Sequence, residues 1–370
     1  MTLCVVTGAT GFIGSQLVKQ LLNQGHSVRC LVRSSSNLER IKTLGAEIYT
    51  LDFSDKTALK KSVESAQYVY HCAGCILTNH AEEMYQTNCR NTALLAQSCA
   101  EQTTPPTFVF ISSLAAAGVM RQQDAPCPAD SALSSNWRPE IFSADDLPRQ
   151  TYLRQEWMPE LPVSVYGKSK LAAEKELRKI CDKLPISIVR PPIILGPGDK
   201  CGLPMFQAIQ NSGFHFCPGW ERKRYTVVFA QDVVKTLIAA AEKGTRLTTC
   251  DAPGYPDNSY QSGLYFVSRG EHPEYGALGE IIGKLLGRKR TIAWHVARPI
   301  FWTVCTCSEF IGRIKGTPLY LNWDKAREAI AGSWVCSGEK AKRELGIEFS
   351  HSFEQLLTET IEDYRRRGWL

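Results

Sequence analysis

Short apolar runs alternate with amphipathic segments along the first half of the chain. Leu3–Thr7 is a β-rich apolar run that leads at once into a glycine-rich turn. Behind the turn, Phe12, Ile13, Leu17, Leu21 and Leu22 recur at helical spacing up to Gly25. The same reading predicts strands at Ser27–Val32, Ala46–Leu51, Gln67–His71, Phe108–Ser112 and Ile186–Arg190. Helices are predicted between them at Asn37–Leu44, Lys56–Val63, Ala81–Glu101 and Val165–Asp182. Strands joined through helices need crossover connections, which pair them in parallel. Right-handed crossovers wind helices onto both faces, so the predicted fold class is α/β with a doubly wound parallel sheet. Pro191-Pro192 must end the pairing of the last of these strands.

Two stretches break the alternation. Residues 118–162 are polar, rich in Pro, Ser and Gln, and carry Trp137 and Trp157. A connection this long is expected to have a function, here a lid over an apolar substrate, with a solvated excursion as the other reading. Beyond Gly196-Pro197-Gly198 the chain becomes mostly helical. Helices are predicted at Pro204–Asn211, Ala230–Lys243, Tyr275–Leu286, Val296–Ile314, Asp324–Ala331, Glu339–Leu345 and Ser352–Arg366, with a strand at Leu264–Ser268. There is no internal repeat.

Composition narrows the function classes. The net charge of +6 is mild and gathers on no single face, which argues against a nucleic-acid partner. The 14 cysteines lack framework spacing, the start of the chain has no signal-peptide pattern, and no apolar run approaches a membrane span. A cytoplasmic protein with reduced thiols is expected. Cys72-Ala73-Gly74-Cys75 has no second pair to complete a zinc site and is read as packing in a turn, so no metal is expected. The stretch from Arg288-Lys289-Arg290 through Ile300-Phe301-Trp302-Thr303-Val304 fits a helix buried beside a pocket. Peripheral membrane contact is the less favoured reading of it. Arg365-Arg366-Arg367 reads as a solvated helix end.

The chemistry-bearing residues sit on the predicted sheet. Gly8, Gly11 and Gly14 form G-x-x-G-x-x-G between a strand and a helix, with Thr10, Phe12 and Ile13 among them. The first glycine permits the tight turn, the second a close approach of backbone to a pyrophosphate, and the third close helix–strand packing. The helix N-terminus behind them offers free N–H groups to an anion. An NAD site calls for an acid at the end of the second strand; this chain has Arg33, which can pair with a 2′-phosphate. NADP(H) is therefore favoured, with NAD(H) possible in its place. Asp52 and Phe53 follow the third strand, where they can bracket an adenine. Tyr166 and Lys170 share one helix face at i,i+4, and an ammonium near a phenol favours its ionised form. Ser112-Ser113 lies at the end of the fifth strand, at the sheet edge where ligands bind.

Together these motifs resemble the extended short-chain dehydrogenase/reductases, in the NAD-dependent epimerase/dehydratase family. The likeness extends over nearly the whole chain. Thr7–Gly14 resembles T-G-x-x-G-F-I/L-G, His71-Cys72-Ala73-Gly74 the turn beside the cofactor, and Gly196-Pro197-Gly198-Asp199 the G-P-G-D turn. Asn88 with Thr92 resembles N-x-x-G-T, although Asn91 replaces the glycine. The resemblance implies a Rossmann NAD(P)-binding domain over residues 1–192, with 118–162 inserted. It implies a smaller α-rich substrate portion over 193–370, of which 225–270 returns to the sheet. It further implies Ser113, Tyr166 and Lys170 as the catalytic residues, with Ala73, Pro191 and Ile193 beside the cofactor. Tyr166 would supply the proton, Ser113 would polarise the substrate oxygen, and Lys170 would bind the nicotinamide ribose and tune Tyr166. Arg190-Pro191-Pro192 and Leu31–Asn37 are more similar to the dihydroflavonol-reductase-like and 3β-hydroxysteroid-dehydrogenase-like members. Their substrates are ketones or secondary alcohols on apolar, sterol-, polyprenyl- or flavonoid-like bodies. Two other readings stand beside this one: a nucleotide-sugar epimerase or dehydratase, and a non-catalytic NADP(H)-sensing protein. The intact Ser113, Tyr166 and Lys170 speak against the sensor. The likeness allows a monomer or a homodimer. Tyr166 lies 53 positions after Ser113, a longer interval than the family usually carries, and the added length is 118–162.

Overall fold

The computed structural model describes residues 2–119, 153–249 and 261–370. Its strands are β1 (Leu3–Thr7), β2 (Ser27–Val32), β3 (Glu47–Thr50), β4 (Tyr68–His71), β5 (Thr107–Ile111), β6 (Ile186–Arg190), β7 (Ile193–Leu195), β8 (Phe214–Pro218), β9 (Val227–Phe229), β10 (Leu264–Phe266) and β11 (Ile292–Val296). Seven of them form one parallel sheet in the order β10-β6-β5-β4-β1-β2-β3. The strand order reverses between β1 and β4, so a crevice opens at their carboxyl ends. Thr7 and His71 are partners in that register.

Burial on both faces explains why the strands read as unbroken apolar runs. Cys4 and Val6 of β1 pack on one face with Leu17, Leu21, Val233 and Leu237. Val5 packs on the other face with Leu59, Leu95, Ala173 and Leu177. A third cluster, including Phe206, Ile282, Leu357 and Tyr364, holds the C-terminal helices together. Two short parallel pairs, β7 with β9 and β8 with β11, lie outside the large sheet.

Several elements differ from the sequence expectation. Residues Asn37–Leu44 form turns instead of a helix, with Ile41 N–H donating to Leu38 O (2.9 Å) and Arg40 spanning to Gly198 O (2.9 Å). The predicted Ala81–Glu101 helix is interrupted by a π-turn at Gln86–Arg90. Strands β7, β8, β9 and β11 were not anticipated, being only 3–5 residues long. The helix expected from Val296 starts at Arg298, because Val296 itself pairs with Pro218. Trp137 lies outside the described residues. Trp157 is half-buried and donates from its indole nitrogen to Gln155 Oε1 (2.8 Å). The two ends of the 118–162 stretch meet: Leu161 N–H donates to Ala117 O (2.7 Å), and a Cβ on Gly118 (φ +78°) would lie 1.9 Å from Leu161 O.

A buried ionic cluster ties β6 to the helix Val165–Arg178. Arg190, 1% exposed, donates from Nε to Glu174 Oε1 (2.9 Å) and also pairs with Glu174 Oε2 (2.5 Å) and Glu160 (3.0 Å). Ser112, the last residue before the site serine, donates its hydroxyl to the same Glu174 carboxylate. Removing one partner from a buried pair leaves an uncompensated charge. Glu174→Leu is therefore expected to lower the unfolding free energy by about 3–5 kcal/mol, read from the denaturant midpoint; an unchanged midpoint would show that Glu160 alone satisfies Arg190.

Candidate active site

The glycine turn is built by close approach. Gly8 has φ +65°, and a Cβ there would lie 2.6 Å from Ala73 N. At Gly14 a Cβ would lie 2.2 Å from Gly8 O, so the helix Phe12–Asn23 meets the turn backbone to backbone. Gly11, the N-cap, supplies no side chain to the first N–H groups, which stay open to an anion. This cradle fits a dinucleotide pyrophosphate, because any side chain at Gly8 or Gly14 would fill it or break it. Thr10, Phe12 and Ile13 lie along the same turn and first helical residues.

A buried hydrogen-bond chain fixes the floor of the crevice. Ala73 N–H donates to Thr7 Oγ1 (3.1 Å), which meets His71 Nδ1 (2.7 Å); His71 Nε2 meets Thr92 Oγ1 (2.9 Å), and Thr92 donates to Asn88 O (2.7 Å). Because the Thr92 proton is committed to Asn88, His71 must carry its hydrogen on Nε2 and accept at Nδ1 from Thr7. The imidazole is thus neutral. Burial, and then the charge of Lys170, push its pKa down to about 3. Asn88, within the π-turn, brackets Cys75 through its N–H (2.7 Å) and its carbonyl (2.8 Å), and donates to Ser169 Oγ (2.9 Å). A Cβ on Gly74 would lie 3.2 Å from Lys170 Nζ and 3.3 Å from Asn88 Oδ1. Burial pushes Cys72 up to about 12 and Cys75 upward, so neither thiol has the thiolate character of a redox pair.

Ser113, Tyr166 and Lys170 are brought together at the carboxyl edge of β5. Ser113 caps the short helix Leu114–Ala117, its Oγ accepting from Ala115 N–H (3.1 Å), and lies close enough to the Tyr166 phenol to act on it. Gly167 lets the two helices touch, since a Cβ there would lie 2.2 Å from Ala115 O. Lys170 is buried, donates to Ile111 O (2.9 Å) and lies 4.7 Å from the centre of the Phe110 ring. Burial lowers its pKa to about 8, partly opposed by Cys72 and Glu174. The Tyr166 phenol is pushed up to about 12 by burial, against the lowering effects of Lys325 and of the Ser113 hydroxyl. Beside Lys170, which the sequence spacing points to, the structure places a second cation near the phenol: Lys325 Nζ lies 5.7 Å from the Tyr166 ring centre. Asp324, just before it, accepts from the N–H groups of Val165 (2.6 Å) and Tyr166 (3.0 Å) and so caps the helix that carries Tyr166.

The remaining expected residues line the sheet edge. Arg33 is exposed immediately after β2, with its N–H on Ser36 Oγ (3.0 Å) and its charge close enough to act on Cys75. Asp52 is exposed and accepts from Ser54 N–H (2.9 Å), which lowers its pKa; Phe53 packs against the core cluster that holds Val5, Leu31 and Leu59. Pro191 O accepts from Leu114 N–H (2.8 Å), and Ile193 opens β7 beside the Tyr166 cluster. Asp324, Lys325, Glu174 and Arg190 had no assigned part in the sequence reading. Glu174 could have been found, since i+4 from Lys170 puts a carboxylate on the same inward face.

The model of the NAD dependent epimerase/dehydratase family matches residues 4–249. Sterol demethylase protein B of Methylococcus capsulatus is 25% identical over 293 residues, covering 77% of this chain and 75% of that protein. Ceramide reductase of Caulobacter vibrioides is 24% identical over 369 residues, covering 99% of this chain and 95% of its own. The solved UDP-glucose 4-epimerase of Thermotoga maritima, with UDP-glucose, shares the fold at a TM-score of 0.69 and 19% identity over 99% of each chain.

The buried imidazole has a consequence for stability. Below about pH 6.5 the unfolded chain binds a proton at His71 that the folded chain, at about 3, refuses. Stability is then complete above that pH and falls as the pH drops, by about 1.4 kcal/mol per unit for each such group. His215 and His272, both held near 4 chiefly by burial, act in the same direction. His71→Gln is expected to reduce the pH dependence of the unfolding free energy between about pH 6 and pH 4 by one proton's worth. An unchanged slope in chemical denaturation would show that His71 is protonated in the fold.

Proposed function

The chain belongs to the NAD dependent epimerase/dehydratase family and is an NAD(P)-dependent oxidoreductase, and from that premise we propose that it transfers hydride between NADP(H) and a ketone or secondary alcohol on a largely apolar substrate. The observation that carries the reading is the approach of Ser113 to the Tyr166 phenol at the carboxyl edge of β5, on the helix that also brings Lys170 beside Gly74. When bound, the nicotinamide supplies a hydride to a carbonyl carbon or takes one from a carbinol.

The chain's own residues do the rest. Gly8, Gly11 and Gly14 admit the pyrophosphate, and the open N–H groups at Phe12 and Ile13 neutralise it. Arg33 pairs with a 2′-phosphate, where an acid would repel it. Asp52, Phe53, Ala73, Pro191 and Ile193 border the rest of the dinucleotide. Lys170, with its pKa near 8, keeps its charge at neutral pH and holds ribose hydroxyls. Tyr166 keeps its proton until charge develops on the substrate oxygen, then donates it; Ser113 orients that oxygen. In the oxidative direction Tyr166 takes the proton back. The names of two relatives, a sterol demethylase protein and a ceramide reductase, support an apolar substrate body.

Two measurements test the reading. Sterol-, ceramide- and flavonoid-type ketones assayed with NADPH and NADH should show turnover with NADPH preferred, and Tyr166→Phe should lower kcat by about 10²–10⁴. Arg33→Glu should raise the KM for NADPH at least about tenfold, the loss of one charge-assisted pair, and leave that for NADH unchanged. Tightly retained NAD with turnover of a UDP-sugar alone would overturn the assignment.

A further inference from the structure

The helix Trp323–Ala331 is 158 and 159 positions from the residues it caps, yet it is docked on the start of the Tyr166 helix by two backbone hydrogen bonds to Asp324. Asn322 caps it in turn through Lys325 N–H (2.8 Å), which fixes its register. The residue after Asp324 is therefore delivered to the phenol: Lys325 Nζ lies 5.7 Å from the Tyr166 ring centre. The same ammonium pairs with Glu328 Oε2 at 2.7 Å, both side chains largely buried. The second oxygen, Glu328 Oε1, is buried with no hydrogen-bond partner among the described residues. An isolated buried carboxylate oxygen is costly, and its placement next to the reacting phenol calls for a reason.

We propose that the Lys325–Glu328 ion pair is the charged partner of Tyr166, a positioning pair that sets how readily the phenol gives up its proton. The inference rests on Tyr166 being the proton donor. As the proton leaves for the substrate oxygen, the phenolate charge forms beside the Lys325 ammonium, which stabilises it. Glu328 holds the ammonium in place and tempers its field. The groups facing Tyr166 from each neighbouring element are Lys325 and Glu328 from this helix, Ser113 from the end of β5, and Cys201 from the turn after β7. Lys170, on Tyr166's own helix, is engaged with Ile111 O, and Asp324 is engaged with the helix N–H groups. Burial opposes the charge on Lys325, but Glu328, Tyr320 and Tyr166 outweigh it and raise its pKa, so it stays cationic while Tyr166 titrates.

The test is a ¹⁹F NMR titration of the full chain labelled with 3-fluorotyrosine, whose lower phenol pKa brings the transition into an accessible range. The Tyr166 signal is the one lost in Tyr166→Phe. An opposite charge at this distance is worth about one pH unit or more. Lys325→Met should raise the Tyr166 midpoint by about that amount. Lys325→Arg should restore the wild-type midpoint, and Glu328→Gln should lower it. Opposite shifts from the two neutralising variants are what a field produces; a loosened helix moves both the same way. Unmoved midpoints, or shifts of the same sign, overturn the proposal. If Lys325→Met does not fold, Glu328→Gln decides alone, and no downward shift overturns it. Undiminished turnover by Tyr166→Phe would instead sink the proton-donor reading, a result independent of where the midpoints fall.

Discussion

Everything at the site hangs from the chain of hydrogen bonds that runs Ala73, Thr7, His71, Thr92, Asn88. It crosses the one place where the sheet reverses its winding, where the backbone ladder runs on past β4 by the bond from Cys72 N–H to Thr7 O (3.3 Å). Each hydroxyl in the chain donates one way and accepts the other, and only one tautomer of His71 satisfies it. That single-valued arrangement holds the turn after β4 against Gly8, and Asn88 passes the constraint on to Cys75 and to Ser169 on the Tyr166 helix. The crevice is braced from beneath by the buried side chains of Thr7, His71, Thr92 and Asn88. Preorganisation of this kind is what lets a polar site act without rearranging during the reaction.

The carboxyl edge of the sheet concentrates buried charge. Arg190 with Glu174 and Glu160, Lys170 over Phe110, and Lys325 with Glu328 all lie around one helix, Val165–Arg178. Buried ions are poor sources of net stability, and replacing such a pair by apolar groups is often neutral. Their value here is positional. Glu174 takes Ser112 and Arg190 together, so the serine that follows is held by a bidentate ion pair on a neighbouring strand. The helix carrying Tyr166 is fastened at its start by Asp324 and at its middle by Glu174, leaving the phenol little freedom to swing.

The local part of this design is legible in the sequence. Gly8, Gly11 and Gly14 need only a strand before and a helix after; Tyr166 and Lys170 need only the helical repeat; the parallel sheet follows from alternation of apolar runs. What escapes has two physical causes. The Asn37–Leu44 stretch has a helical pattern, yet Arg40 and Ile41 are claimed by distant partners, and tertiary contacts override local preference. Strands such as Val227–Phe229 carry too few residues for any period to show. Lys325 escapes for another reason: its meeting with Tyr166 depends on how the C-terminal helices fold back, and nothing near position 325 records that.

The clasp between Gly118 and Leu161 bears on how this chain can change over evolutionary time. Its closure belongs to the sheet's own framework, through Ala117 O and the buried Glu160 beside it. Just before the clasp the chain is built into the core: Arg154 N–H donates to Val335 O (3.0 Å), Ser337 N–H donates to Arg154 O (2.9 Å), and the buried Glu156 accepts from Phe266 N–H (3.0 Å). Lengthening or trimming the chain over 153–161 would pull on β10 and on the strand-like stretch around Cys336 together, so these positions change under the constraints of a core and not of a connection.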